Sequence, residues 1–337
     1  MLCYSDANTD PYFNLAAEEF LLTNAAGPIF RLWRNSPSVI IGRNQNAMAE
    51  INTDYVKEHK IPVIRRLTGG GAVFHDLGNI NFTFIDRRTD AEDTAEMFRR
   101  FTAPIIEAIR SLGINASLEG RNDLTVDGRK FSGNAVCIHG KNVLQHGTIL
   151  FSSSLGSLSA ALRSRPEKFT GKSVRSNAAR VTNLERHLPE GLDMDVTGFM
   201  EYILDFISER TAGTECREFS PEEKKAIRLL SDNKYSTDEW NYGRSPAYGY
   251  SSSFRLPCGF FEIYMDVKQG RITSCRIMGD YFFISPVEEI CRALTGVRHE
   301  YGDIACALEG FSLKDYFGED IKEELVSALA GTDKAQA

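Results

Sequence analysis

The chain has 337 residues, 42% hydrophobic and 25% charged, the balance of an ordinary globular protein with enough length for about two domains. Lys plus Arg number 39 against 46 Asp plus Glu, and the net charge of −7 argues against a general nucleic-acid binder, so any phosphate recognition should be local. Seven cysteines, odd in number and without a C-x-x-C pair, suggest neither a disulfide framework nor a zinc site and read as reduced thiols.

The opening segment carries Asp6, Asp10, Glu18 and Glu19 and lacks a basic stretch followed by an apolar core, so no secretory signal is expected. No apolar run approaches the roughly 18 residues of a membrane span. A soluble cytoplasmic protein without a membrane partner is the expectation.

Asp10-Pro11 predicts a helix over residues 11–23, with the aspartate as cap and proline at the first helical position; it carries Leu15, Glu18, Glu19 and Leu22. Residues 29–33 and 38–41 predict strands, 47–59 a helix, and 62–65, 72–75 and 80–85 three further strands. A long amphipathic helix is predicted over 91–112, where Met97, Phe101, Ile105, Ile106 and Ile109 recur at helical spacing and Gly113 stands as the stop. A strand near Ala116 precedes a dense polar stretch, 120–135, and 143–151 is another strand. Residues 163–180, rich in Lys, Arg, Ser and Gly without periodicity, predict a long loop of the kind that often carries function. Helices are predicted at 184–206 and 221–230, and the turn residues of 240–246 mark a domain junction. Beyond it, 259–267 and 272–278 predict a hairpin about Lys268-Gln269-Gly270, with helices near 287–294 and 313–329.

The most informative stretch is Arg65-Arg66-Leu67-Thr68-Gly69-Gly70-Gly71-Ala72-Val73-Phe74-His75-Asp76. Glycine accepts positive φ and lets the main chain come close to a ligand, so successive N–H groups can converge on one anion. The two guanidiniums add planar, permanently charged donors suited to phosphate or carboxylate. Because Ile61-Pro62-Val63-Ile64 precedes the glycines and Ala72-Val73-Phe74 follows, they punctuate strands of a core and not a linker.

A second motif surrounds Asp127-Gly128, a strong hairpin signal. With those two residues as the loop, Val126 pairs with Arg129, Thr125 with Lys130, Leu124 with Phe131 and Asp123 with Ser132. Alternation then puts Arg121, Asp123, Thr125, Lys130, Ser132 and Asn134 on one face and Leu124, Val126, Phe131 and Ala135 on the other. The polar face can lie in water, or it can offer Lys130 as a fixed cation for a phosphate, with Asp123 and Asn134 orienting it. Together with the glycine run, the motif favours a nucleotide or acyl-phosphate site.

Gly171-Lys172-Ser173 is no P-loop, since Pro166 stands where that pattern needs glycine. The triple glycine also fails the dinucleotide fingerprint, because strand residues follow where a helix should begin. His75-Asp76 lacks the nucleophile elbow of a hydrolase. His59, His139, His146, His187 and His299 show no metal spacing, although His146 within a strand could line a pocket. Cys137 follows the second motif closely enough to raise a thioester route, but an inert core residue is the expectation.

Residues 65–76, Gly120-Arg121-Asn122-Asp123-Leu124 leading to Lys130-Phe131-Ser132-Gly133, Ser173-Val174-Arg175-Ser176 and Val181-Thr182-Asn183-Leu184 closely resemble the lipoate-protein ligase A family. The resemblance extends to Trp33-Arg34, to 41–46 and to the 240–246 junction, and so covers nearly the whole chain. It implies an α/β (α+β) fold: a mixed-sheet catalytic domain of the biotin/lipoate-protein ligase type over 1–243 and a small α+β accessory domain over 247–337. The implied activity is a ligase that uses ATP and Mg²⁺ to turn lipoate, or octanoate, into its AMP ester. The acyl group then passes to a lysine of lipoyl domains of 2-oxoacid dehydrogenase E2 subunits or of the glycine-cleavage H protein.

Carried over by position, Arg66, Gly71, Ala72, Val73, Phe74 and Lys130 match the nucleotide-contacting residues. Lys130, Gly70, Gly71, His75 and His146 match the lipoate side. Lys130 is the implied catalytic residue, supported by Asn122, Asp123 and Ser132, with Asp123 as a possible metal ligand, and 163–180 matches a loop that closes over the adenylate. Two alternatives stay open at this point, an ATP-independent acyl amidotransferase and a non-catalytic lipoate sensor.

Overall fold

Short β-branched and aromatic runs separated by turn residues assemble, among the described residues, into one large sheet and two small ones. The computed structural model describes residues 1–45, 47–89, 92–162, 181–242, 250–268, 271–299 and 301–330. The large sheet runs in the order Glu215–Arg217, Leu2–Ser5, Ile29–Trp33, Asn79–Arg87, Asn142–Leu150, Arg129–His139, Asp123–Val126, Ala116–Glu119. Its first two pairings are parallel and the rest antiparallel, so the sheet is mixed. A second sheet sets Ser38–Ile41 between Val63–Arg65 and Val73–His75, which places the glycine run between two of its strands.

Helix Thr94–Ser111 starts on a capping box made by Asp93 and Glu96. Its Met97, Phe101, Ile105 and Ile109 join Phe82, Leu124, Phe131 and Ile149 in one buried cluster, each side chain of that size contributing about 1.5–3 kcal/mol. Helix Pro11–Asn24, capped by the Asp10 carboxylate, packs Leu15, Leu21 and Leu22 into a separate cluster with Trp33, Ile64 and Leu144.

Several predicted helices are interrupted. Residues 47–59 form two short helices, Ala47–Glu50 and Thr53–Glu58, because the Asn52 side chain accepts from Tyr55 N and restarts the helix. Residues 184–206 hold one 3₁₀ turn, Leu184–His187, and then Val196–Arg210 under an Asp195 cap; Pro189 and the left-handed Gly191 lie between. Gly318, at φ 81°, ends Leu313–Phe317 before Lys322–Ala330 begins. The loop expected over 163–180 lies outside the described residues, as do 243–246 of the predicted junction and Gln269-Gly270 of the second hairpin.

Residues from Tyr250 onward form an antiparallel sheet, Tyr250–Leu256, Gly259–Lys268 and Arg271–Gly279, backed by four helices among the described residues and with a core of its own about Phe261, Ile277, Tyr281 and Phe317. The end of its last strand docks on the rest of the chain. Gly279 N donates to Asn44 O at 2.6 Å, and Phe282 packs with Phe98, Ala135 and Val136 beneath the Arg121 guanidinium. No helix among the described residues is long and apolar enough to cross a membrane.

Candidate active site

The Asp127-Gly128 turn forms with both residues at positive φ, 51° and 69°, as a two-residue hairpin requires. Val126 pairs with Arg129 and Thr125 with Lys130, as predicted. A bulge between Leu124 and Thr125 then shifts the register, so that Leu124 faces Ser132 and Asp123 faces Gly133. The extra residue is Phe131, drawn into the core. Half of the polar face is withdrawn from water: Thr125, Ser132 and Asn134 are buried, whereas Asp123 and Lys130 keep more than one-third of their side chains exposed.

That face borders two adjoining cavities. The narrower, about 160 Å³, is lined by Leu15, Trp33, Ile40, Ala135, Arg66, Gly70, Gly71, His75, Asn122 and His146. The broader, about 420 Å³, carries Phe74, Asn79, Glu119, Asp123, Thr125 and Ser132. Ala72, Val73, Lys130, Gly133 and Thr148 line both. Lys130 therefore stands on their common wall, its Nζ 2.8 Å from Asp123 Oδ1. Its carbonyl accepts from Thr182 N at 2.9 Å, where the described chain resumes after residue 180. Leu162 and Val181, which flank the 163–180 segment, both line the broader cavity.

The two arginines divide their work. Arg65 is fully buried and gives its guanidinium N–H groups to the carbonyls of Gly42, Arg43, Gln45, Trp240 and Asn241. It is a structural tie and not an anion donor, which corrects the expectation for that residue. Arg66 lines the narrower cavity and donates to Thr68 Oγ1 (2.9 Å), Ile40 O (3.2 Å), Gly69 O (2.6 Å) and Gly71 O (2.8 Å). Burial pulls its pKa down to about 10, so it stays charged at neutral pH. Because a trans peptide sets C=O and N–H on opposite sides, turning the Gly69 and Gly71 carbonyls to Arg66 points the N–H groups of Gly70 and Ala72 away from it.

The three glycines serve different ends. A methyl on Gly69 would overlap the Tyr281 carbonyl of the C-terminal part, Gly70 takes φ 88°, and Gly71 has open space where a side chain would stand.

A buried chain of hydrogen bonds underlies the loop. Trp33 Nε1 donates to Thr83 Oγ1 (2.9 Å), and Thr83 donates to Glu18 Oε1 (2.6 Å). The Glu18 carboxylate meets His146 Nδ1 at 2.9 Å, and His146 Nε2 meets Thr68 Oγ1 at 2.7 Å, the same hydroxyl that accepts from Arg66. Residue type alone did not single out Glu18, Thr68 or Trp33. The available signal was a carboxylate on the apolar face of a helix, three residues after Leu15 and four before Leu22.

His75 is buried beside Trp33, and burial, with the Arg66 charge and His146 as smaller causes, lowers its pKa to about 3. Cys137 is buried among apolar residues and its thiol is pushed up to about 12, chiefly by that burial, so it holds no thiolate for a thioester route at neutral pH. Among the described residues no group of three or more His, Cys, Asp or Glu could hold a metal ion, and the Asp123 carboxylate is engaged by Lys130.

A largely apolar cavity joined to a more polar one, with polar and charged groups converging at the join, has the layout of a ligand-binding site. The family model described as the lipoyl protein ligase A/B catalytic domain matches residues 10–208, and that of the bacterial lipoate protein ligase C-terminus matches 245–329. Among curated proteins, lipoate-protein ligase LplJ of Bacillus subtilis is 40% identical over 95% of this chain and 97% of its own. Lipoate–protein ligase 1 of Staphylococcus aureus is 39% identical over 96% and 97%. Among solved structures, P. falciparum LipL1 in complex with lipoate aligns with a TM-score of 0.78 at 25% identity, over 98% of this chain and 99% of that one. A lipoate-protein ligase A bound with ATP aligns with a TM-score of 0.61 at 31% identity, over 72% and 98%. The chain belongs to the lipoate-protein ligase family, and the α/β fold with its mixed sheet is that of the family.

Proposed function

We propose that this chain activates lipoate, and with it octanoate, at the expense of ATP and transfers the acyl group to a lysine of lipoyl domains of 2-oxoacid dehydrogenase E2 subunits and of the glycine-cleavage H protein. The observation that carries this is Lys130 on the wall common to an apolar and a polar cavity. An acid and a nucleotide that react must meet, and a fixed cation at their meeting point offsets the charge that grows there. The acyl chain takes the narrower cavity, lined by His75 and His146, and the nucleotide the broader one, lined by Phe74; Ala72 and Val73 stand on the wall common to both, and Arg66 and Gly71 meet the nucleotide from the narrower side of that wall.

In the first step a carboxylate oxygen of the acid bonds to the α-phosphorus of ATP, the bond from that phosphorus to the bridging oxygen breaks, and pyrophosphate leaves. The Lys130 ammonium, oriented by Asp123 and flanked by Asn122 and Ser132, faces the negative charge on the phosphoryl oxygens. In the second step the neutral amine of the acceptor lysine bonds to the acyl carbon, the acyl–phosphate bond breaks, AMP leaves, and the amine's proton passes to solvent. Mg²⁺ bound with ATP would lower the charge of its phosphates, and Asp123 and Glu119, the carboxylates that line the broader cavity, are the residues that would face it.

The division into a catalytic part, 1–243, and an accessory part, 247–337, belongs to the same proposal and is supported by the separate core of the second part. All seven cysteines are free, which supports a reducing, cytoplasmic setting.

Exchange of labelled pyrophosphate into ATP, dependent on free lipoate, tests the first step; the mass of an apo lipoyl domain after incubation tests the second. A folded protein that supports no exchange refutes the proposal.

A further inference from the structure

Arg31 is fully buried in strand Ile29–Trp33. A guanidinium can only donate, and it donates to both the carbonyl and the side-chain oxygen of Asn14. The Asn14 amide is thereby oriented, and its two Nδ2 N–H groups are shared among Asn8 O, Arg34 O and Asn35 Oδ1, each 2.9 Å from the nitrogen. With its oxygen so used, Asn35 presents its own Nδ2 to His75 Nδ1 at 3.1 Å. His75 Nδ1 is therefore an acceptor, and the one proton of this neutral ring sits on Nε2. That Nε2 has no hydrogen-bond partner among the described residues. Leaving a buried donor unpaired is costly, and a charged anchor four residues deep that ends in an idle N–H calls for an acceptor from outside the chain.

His75 lines the narrower cavity together with Leu15, Trp33 and Ile40, none of which lines the broader one. These residues border only the narrower cavity, on walls that the broader one does not share, and the edge-to-face pair of Trp33 and His75 is among them. An acid whose carboxylate rests at Lys130 sends the far end of its chain to these walls. A saturated chain brings no acceptor, whereas a ring sulfur is a polarizable, weak one. We infer that the Nε2–H of His75 is a specificity-determining donor that favours an acyl chain ending in sulfur over a plain aliphatic chain. This rests on the acid-activating reading above.

The test compares lipoate with 5-cyclopentylpentanoate, its isostere with methylenes in place of both sulfurs, by calorimetry on the full chain. Lipoate is expected to bind about tenfold more tightly, the worth of one weak hydrogen bond. In His75→Leu the gap should close to within about twofold. In the unmodified protein, the Nε2–H proton resonance of ¹⁵N-labelled His75 should move with lipoate and stay in place with the isostere, which needs no substitution. Equal affinities in the wild type, a gap unchanged in a folded His75→Leu, or an unmoved resonance would overturn the inference. Pyrophosphate exchange separates the two proposals. Exchange without a sulfur preference overturns the role of His75 alone, and a sulfur preference without exchange overturns the ligase reading alone.

Discussion

The Lys130 ammonium reaches Asp123 at 2.8 Å across a strand pair whose register is shifted by the Phe131 bulge. The shift puts Gly133 opposite Asp123, and a methyl there would stand about 3.1 Å from Lys130 Nζ. Both partners are more than one-third exposed, so the pair adds little to stability and its value lies in aiming the ammonium. Lys130→Ala should leave the thermal melt unchanged and lower the rate of lipoate-dependent pyrophosphate exchange by about 10²–10³, the usual cost of losing one transition-state donor. Asp123→Asn keeps the cation but loosens its aim, and a fall of about tenfold is expected. Equal rates for Lys130→Ala and the wild type would remove the lysine from the chemistry.

Gly69 and Gly71 look alike in the sequence but not in the fold. Gly69→Ala drives a methyl into the Tyr281 carbonyl, a backbone atom that cannot step aside. Overpacking of that kind costs about 1–3 kcal/mol, and it should loosen the hold of the C-terminal part on the glycine loop. Gly71→Ala meets nothing within 4 Å and should melt at the wild-type temperature. Urea titrations of both variants check the contrast.

The motifs were legible because they are local. Asp127-Gly128 dictates a turn whatever surrounds it, and three glycines between strands announce a place where main chain must come close to something. Long-range partners were not legible. Nothing in Arg65-Arg66 says which guanidinium faces a cavity, since Asn241 and Gln45, which help to hold Arg65, lie far from it in the chain. Glu18 reads as one of two acidic residues on a helix, and only the fold brings it against His146 from a strand 128 residues away. The bulge escaped because strand alternation alone carries no mark of an extra residue, and Phe131 sits in the core with or without it. Helix periodicity overran Asn52, Gly191 and Gly318 because apolar residues resume in phase after each break, although each break carries a cap or a left-handed glycine.

Glu18 should prove more important to stability than its place among surface acids suggests. Its carboxylate is 3% exposed and accepts from Thr83 while contacting His146. Glu18→Leu strands both partners, and leaving buried polar groups unpaired costs about 1–3 kcal/mol. Because His146 and Arg66 share the Thr68 hydroxyl, the same variant should also raise the KM for lipoate. Glu18→Gln, which can still accept from Thr83, should recover part of both losses, as measured by chemical denaturation and steady-state exchange.

Cys137 provides a negative control for any thioester route. With its thiol held at about 12 by burial, almost none is thiolate at pH 7.5, and the side chain packs with Leu144 and Tyr235. Cys137→Ala should keep acyl transfer within about twofold of wild type, at a packing cost of about 1 kcal/mol. Iodoacetamide on the native protein should label Cys216 or Cys306, which are exposed, and spare Cys137. Loss of transfer in a folded Cys137→Ala protein would reopen an acyl-cysteine intermediate.

His75 makes stability depend on pH in a definite direction. In the unfolded chain a histidine takes up its proton near pH 6.5, whereas in the fold burial holds His75 neutral down to about 3. Between those values the unfolded state binds one more proton than the native state, so stability rises with pH across the window. The contribution is complete above about 6.5 and is lost as the pH falls toward 3. His75→Gln removes that proton from the balance, so its stability should fall with acid less steeply than the wild type's, by up to about 1.4 kcal/mol for each pH unit within the window. Urea denaturation of both proteins at pH 7.5, 5.5 and 4.5 measures the difference. Parallel curves would mean that the native ring accepts a proton, and a charged imidazolium would then stand with Arg66 at the wall of the narrower cavity.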